Sequence, residues 1–286
     1  MNAGFLGALT AIGWGGADFI ARLSGRSIGH ANALLGMLLS GAIFLSIYVF
    51  ITDMPFVWIW SSAWLIGASG IGIMASTLLL YQALARGPVS VASPIVGSYP
   101  AFSVLFAVIL GSYPAPEDWV AIGLILCGVL TVARYGPISN EPEHKDAAFN
   151  RKTVLISFLS AILFAISLLI GQLAAPIYGE VETTWLGRLV SLGCLLCLLT
   201  FSKSHTISLP LRWWPFLCAQ GFLDSTAYIC VFAAGNLPNA ELAAVTASAF
   251  GAITVLLARF ILKETVTLPQ WVAMIAIFGG VGFLAL

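Results

Sequence analysis

Gly136-Pro-Ile-Ser-Asn-Glu-Pro-Glu-His-Lys-Asp-Ala-Ala-Phe-Asn150 is the one long polar connection in a chain of 286 residues. It contains two prolines, and it reads as a flexible linker in which His144 is a solvated loop residue rather than a ligand. On both sides of it the chain is apolar. Residues of the Ala/Val/Ile/Leu/Met/Phe/Trp/Tyr/Cys set make up 60% of the sequence and charged residues only 8%, against roughly a quarter charged in an ordinary soluble domain. Such a chain cannot clothe a soluble fold in polar surface. Twelve basic residues cancel twelve acidic ones, so no basic footprint for nucleic acid exists either.

A membrane span needs about 20 mostly apolar residues. Charge, proline and asparagine punctuate the chain into ten such stretches, near 3–21, 31–51, 60–82, 89–110, 119–135, 153–174, 184–201, 211–233, 240–261 and 268–286. The fold class is therefore an all-α integral membrane protein with ten transmembrane helices. The first stretch has no Lys or Arg before it and runs on to Ala21, so it reads as a retained span rather than a cleaved signal peptide. The linker divides the chain into residues 1–135, a connection at 136–151, and residues 152–286.

The Lys and Arg residues are one-sided. Arg22, Arg26, Arg86, Arg134, Lys145, Arg151, Lys152, Lys203, Arg212, Arg259 and Lys263 all fall on one side of this ten-span arrangement, and only Arg188 falls on the other. That other side carries Asp53, Glu117, Asp118, Glu180, Glu182 and Glu241. The positive-inside rule places the linker in the cytoplasm and both termini outside.

Shifting the second half back by 152 residues aligns Trp119 with Trp271, and Gly123–Val129 with Ile275–Val281. Because each unit has five spans, the second must lie inverted with respect to the first. The charges agree, since Gly111 stands in the first unit where Lys263 stands in the second. Inverted units are a plan for opening a midplane site alternately to two sides.

Four sequence elements resemble the ten-helix, two-EamA-domain members of the drug/metabolite transporter (DMT) superfamily, and the resemblance covers essentially the whole chain. They are Gly13-Trp14-Gly15, Tyr81-Gln-Ala83-Leu84-Ala-Arg-Gly87-Pro88, Ser93-Pro94, and the run from Leu256 to Trp271 in which Glu264, Thr267 and Gln270 match the family's "E-x-x-T/S-x-x-Q". The sequence departs from the pattern at Ser112, where a glutamate is expected, and at Ala121 and Ala273, where glycine closes the motif. Thr246 stands where Pro94 stands in the first unit, so a proline kink is not expected in the ninth span. The resemblance implies secondary transport, in bacteria export, of small organic metabolites, amino acids or drugs, with Pro94 and Glu264 as structural junction residues.

Ionisable residues at membrane depth are functional candidates by default. Asp224 lies in the middle of the eighth span with no basic residue nearby in sequence; it either handles a proton or a cationic group, or is a neutral acid bonded to a neighbouring helix. Asp18 stands four residues before Arg22, so an intrahelical ion pair competes with a substrate role. Arg188 is expected to pair with Glu180 or Glu182, and Glu241 to sit at a helix start. Trp14, Tyr81, Gln82, Ser93, Tyr99, Tyr228 and Thr246 complete the candidate route, together with Ser167, Gln172, Ser225 and Ser248. Small residues four apart, such as Ala68, Gly72 and Ser76, favour close helix packing. Tryptophans 58, 60, 64, 119, 213, 214 and 271 border the spans as an interfacial belt.

No enzyme motif, metal-ligand spacing or nucleotide-binding loop is present, and no cofactor is expected. Cys194 and Cys197 read as ordinary thiols in an apolar run. The partners expected are a small organic solute, the lipid bilayer and H+ or another coupling ion, with a monomer as the functional unit. A facilitative channel and a non-transporting membrane scaffold are the competing readings.

Overall fold

A computed structural model describes residues 3–53, 58–87, 89–109, 116–135, 147–201, 207–235, 237, 243, 246–264 and 266–283. Lys145, Lys203 and Glu241, and most of the 136–151 linker, lie outside the described residues, as do the side chains of Glu117 and Asp118. All regular structure among the described residues is helical, as a bilayer demands of any backbone that must satisfy its own hydrogen bonds.

The helices are α1 (Ala3–Ile28), α2 (His30–Thr52), α3 (Ala63–Arg86), α4 (Val89–Gly97), α5 (Tyr99–Ile109), α6 (Pro116–Arg134), α7 (Ala147–Tyr178), α8 (Glu180–Phe201), α9 (Trp214–Gly235), α10 (Phe250–Ile261) and α11 (Leu268–Phe283). Together α4 and α5 make the fourth crossing, and residues 246–248 with α10 make the ninth. Five crossings are long and apolar enough to span a membrane on that ground alone, among them His30–Thr52 and Arg151–Tyr178. Exposed tryptophans such as Trp60, Trp64 and Trp119 lie near helix ends, where an indole suits the membrane–water boundary.

Several helices overrun the spans expected from hydropathy. Helix α1 continues to Ile28 and takes in Arg22, while α8 begins at Glu180, which lengthens the short seventh span. Glu180 and Glu182 occupy the first turn of α8, where the helix dipole favours negative charge. Hydropathy misses such turns because their charged residues belong to the helix without belonging to its apolar stretch.

The two five-helix units are related by inversion, and their contacts repeat. Helix α1 packs on α9 as α7 packs on α3, α1 meets α10 as α7 meets α4, and α6 pairs with α11. The turns repeat too. A single glycine joins α1 to α2 and another joins α7 to α8: Gly29 at φ 88° and Gly179 at φ 95°, a region in which a Cβ is strained.

The fourth and ninth crossings break near their middles and cross there. Pro94 lies within α4 and Pro100 in the first turn of α5, each without an N–H, and Ser98 forms the turn between them with its Oγ donating to Ile95 O at 2.7 Å. The ninth crossing turns at Ala249, whose N–H reaches back to Thr246 O at 3.2 Å. The break expected to be absent without a proline is therefore present. Its cause is tertiary: a Cβ on Gly251 would lie 3.0 Å from Ser93 O, so the two backbones meet where both helices are interrupted.

Candidate functional site

Helix α1 brings one side chain to the bundle centre by letting two neighbours in close. A Cβ on Gly13 would lie 2.8 Å from Leu223 O of α9, and one on Gly15 would lie 2.7 Å from the Ile253 side chain of α10. Between them the buried Trp14 ring makes edge contacts with Tyr228 (5.2 Å), Phe164 (5.3 Å) and Phe250 (5.8 Å). Tyr99 packs edge-on to Phe164 at 4.8 Å. Aromatic rings from both units thus wall one space.

That space is a central cavity lined by Trp14, Asp18, Ser76, Thr77, Leu80, Val96, Ser160, Phe164, Asp224, Tyr228 and Phe250. Its volume is about 20 Å³, which admits a water and falls far below the roughly 300–1,000 Å³ of ordinary small-molecule sites. The conformation is contracted around it. A second cavity of about 10 Å³, toward the end of the bundle where α8 begins, is lined by Ser69, Ile73, Thr183, Thr184, Gly187, Arg188, Ser191, Tyr228 and Phe232. Tyr228 lines both and stands between them.

Charge is distributed in a way the sequence reading did not anticipate. Arg188 does not pair with Glu180 or Glu182: its Nη2 donates to Asp224 Oδ2 at 2.5 Å and to Ser225 Oγ at 3.3 Å. Two turns into α8, the side chain points to the bundle centre, and its guanidinium lies 5.7 Å from the Tyr228 ring centroid. A buried guanidinium requires an acceptor at its own depth, and Asp224 on the adjacent helix provides one.

The intrahelical pair expected between Asp18 and Arg22 does not form. Arg22 reaches toward the basic end of the bundle, donating to Leu84 O at 2.5 Å and to Glu264 Oε1 at 2.9 Å. Asp18 is left 6% exposed, with Oδ2 buried and without a hydrogen-bond partner among the described residues.

Glu264 is more than an interfacial turn residue. Its Oε1 holds Arg22 of α1, and its Oε2 accepts from the N–H of Val89, the first residue of α4. One carboxylate thereby ties the second unit to two helices of the first. Its position is set by Lys263 at φ 55° and by the start of α11, where Gln270 Oε1 accepts from the N–H (2.9 Å) and Oγ1 (3.1 Å) of Thr267. The Gln270 side chain reaching back to the Thr267 N–H is one half of a capping box, and it gives the T-x-x-Q spacing a physical purpose.

Of the residues singled out from sequence, Trp14, Asp18, Asp224 and Tyr228 line the central cavity. Tyr81 is buried beside it with its hydroxyl accepting from Gln220 Nε2 at 2.6 Å. Ser93 is fully buried at the α4–α10 crossing. Thr246 donates to Ala243 O at 3.3 Å and abuts Gly7 of α1. Gln82 is half-buried and borders neither cavity. Sequence reasoning missed Ser76, Thr77, Ser160, Phe164, Thr183, Gln220 and Phe250, which carry no signal that separates them from ordinary polar or apolar positions in a span. The small-residue spacing in α3 did mark its packing face: Gly72 abuts Ser167 and Ser76 O accepts from Ser160 Oγ at 2.8 Å, both on α7.

Two inverted units, broken helices crossing at the centre and a charged aromatic cavity shared between the units are the architecture of inverted-repeat transporters. The chain belongs to the EamA-like transporter family, whose family model matches residues 1–134 and again residues 151–286. A solved structure described as "Crystal structure of protein" shares the fold, with a TM-score of 0.68 at 16% identity over 99% of this chain and 98% of the other. None of the curated proteins matches the chain. Among the described residues no cluster of His, Cys, Asp or Glu is arranged to hold a metal ion.

Proposed function

We propose that the protein is a secondary active transporter of small organic solutes that works by alternating access as an exporter, with Asp18 as the residue that takes up the coupling proton or a solute's cationic group. The observation that carries this reading is the buried Asp18 carboxylate, whose Oδ2 has no hydrogen-bond partner among the described residues, in a cavity to which both units contribute. A bare carboxylate at that depth is too costly to keep charged and alone, so it is neutralised by what enters the cavity. Asp224 already has Arg188, which makes Asp18 rather than Asp224 the better carrier.

In this reading the basic end faces the cytoplasm of a plasma-membrane protein, both termini lie outside, and a single chain suffices, because the two inverted units supply both halves of the route. The units are residues 1–135 and 152–286, and their relative rocking opens the central cavity to each side in turn. No catalytic step is involved.

The test is counterflow in proteoliposomes, using a solute selected by thermal-shift screening. Unlabelled solute inside should stimulate uptake of labelled solute, and Asp18→Asn should fold normally while abolishing the response to an imposed proton gradient. High flux without counterflow stimulation would point to a channel. A normal proton response in the Asp18→Asn protein would remove Asp18 from the mechanism.

A further inference from the structure

The second cavity differs chemically from the central one. Whereas Asp18 and Asp224 line the central cavity, no carboxylate is among the described residues that line the second, and Arg188 is. The hydroxyls around it are not equivalent. Ser69, Thr184 and Ser191 commit their protons to backbone oxygens of Ser167 (3.0 Å), Glu180 (2.7 Å) and Gly70 (2.7 Å). Thr183 is different: it is 3% exposed, and its Oγ1 is buried without a partner among the described residues. The donors left to this cavity are therefore the Thr183 and Tyr228 hydroxyls and the Arg188 guanidinium.

Arg188 is only partly satisfied. A guanidinium has five N–H donors in a planar fork, and here its one carboxylate contact is to Asp224 Oδ2. Nη1 meets the Met37 sulfur at 3.2 Å, and a thioether is a weak acceptor. Past Glu180 and Glu182 in the first turn of α8, a carboxylate in this cavity meets donors and, among the described lining residues, no carboxylate.

We propose that this vestibule is a subsite for a carboxylate carried by a small organic solute, and that the solute's carboxylate displaces Asp224 from Arg188. The proposal rests on the transporter reading and names the chemical class of its solute. Thr183 supplies a neutral hydrogen bond, and the planar fork of Arg188 supplies the bidentate geometry that a carboxylate fits. Tyr228, which lines both cavities and lies against the guanidinium, is the partition that moves as the pair exchanges. Once displaced from Arg188, Asp224 is left unpaired beside Asp18 on the wall of the central cavity, with Tyr81 of α3 and Tyr228 of α9 as the neighbouring titratable groups. Arrival of an anionic group in the vestibule therefore favours arrival of a cation in the cavity, a coupling between adjacent sites.

Competition for Arg188 predicts an inverted mutant pattern. Thermal unfolding of the purified full chain in detergent is measured with 3-methylbutanoate and, separately, with 3-methylbutylamine. The acid should stabilise the natural protein. In Asp224→Asn, which frees the guanidinium, the acid should bind about tenfold more tightly and restore much of the stability that the substitution removes. Thr183→Val should weaken acid binding several-fold. Arg188→Gln should abolish it, and the charge-neutral Arg188→Gln/Asp224→Asn double variant, which leaves neither charge alone, keeps that result interpretable if the single variant fails to fold. Acid binding that survives in the double variant overturns the proposal, as does an Asp224→Asn protein that binds the acid no better than the natural one. No stabilisation of the natural protein by the acid also overturns it. Stabilisation by the amine alone would do the same while leaving the transporter reading intact.

Discussion

Arg188 Nη2 lies 2.5 Å from Asp224 Oδ2, and both side chains are buried, with exposures of 3% and 10%. The two residues come from neighbouring helices, α8 and α9, and meet at the bundle centre. Removing one partner of a buried pair leaves the other charge uncompensated, at a cost of about 3–5 kcal/mol. Asp224→Asn and Arg188→Gln should each lower the unfolding temperature in detergent in the absence of added solute. The double variant should recover much of the loss, so a thermodynamic cycle over the four proteins should give a large coupling energy. Additive losses would mean the pair is not an energetic unit.

Asp18 should behave in the opposite way. It has no ion pair to lose, so Asp18→Asn removes only the cost of keeping a carboxyl at that depth. The unfolding temperature of this variant is expected to stay the same or rise, while its coupled transport fails. Measuring both quantities on one preparation separates the two aspartates, because Asp224→Asn should lose stability first.

Glu264 joins the units at the basic end, through Arg22 at 2.9 Å and the Val89 N–H at 3.1 Å. Its carboxylate is 16% exposed, so the combined contribution is of the order of 1–3 kcal/mol. Glu264→Ala should favour conformations open at that end. A cysteine placed at Ser76, on the cavity wall, in a background lacking the natural cysteines should then react faster with a membrane-impermeant thiol reagent added from the basic side. An unchanged rate would make Glu264 a brace without influence on access.

The single-residue turns make a simpler prediction. Gly29 has open space where a Cβ would stand, so Gly29→Ala should cost only the backbone strain of a positive φ, about 1–2 kcal/mol. At Gly179 the added Cβ would also collide with the Glu182 carboxylate. Gly179→Ala should therefore lower the unfolding temperature further than Gly29→Ala.

The fold class and the family were legible from the sequence because they depend on local and additive properties. Apolar runs of bilayer length, basic residues that, all but Arg188, gather near one set of span ends, and a repeat offset by 152 residues each survive without any knowledge of how helices are rotated. Thr267 and Gln270 stood out in the sequence only as motif positions; the cap they form across three residues came from the structure. What remained hidden was which faces turn inward. A membrane helix meets apolar lipid on one side and an apolar core on the other, so its hydrophobic pattern does not say which way Arg188 or Asp18 points.

Only the packed structure decided those matters. It gave Arg188 to Asp224 rather than to Glu180 or Glu182, sent Arg22 to Glu264, 242 residues distant, and left Asp18 Oδ2 without a hydrogen-bond partner among the described residues. It also broke the ninth crossing without a proline, because the crossing helices press Gly251 against Ser93 and Pro94. By itself the sequence determined a ten-span inverted transporter with few buried charges; the tertiary structure decided which of those charges are partners, because pairing depends on depth and rotation across helices, which no local pattern encodes.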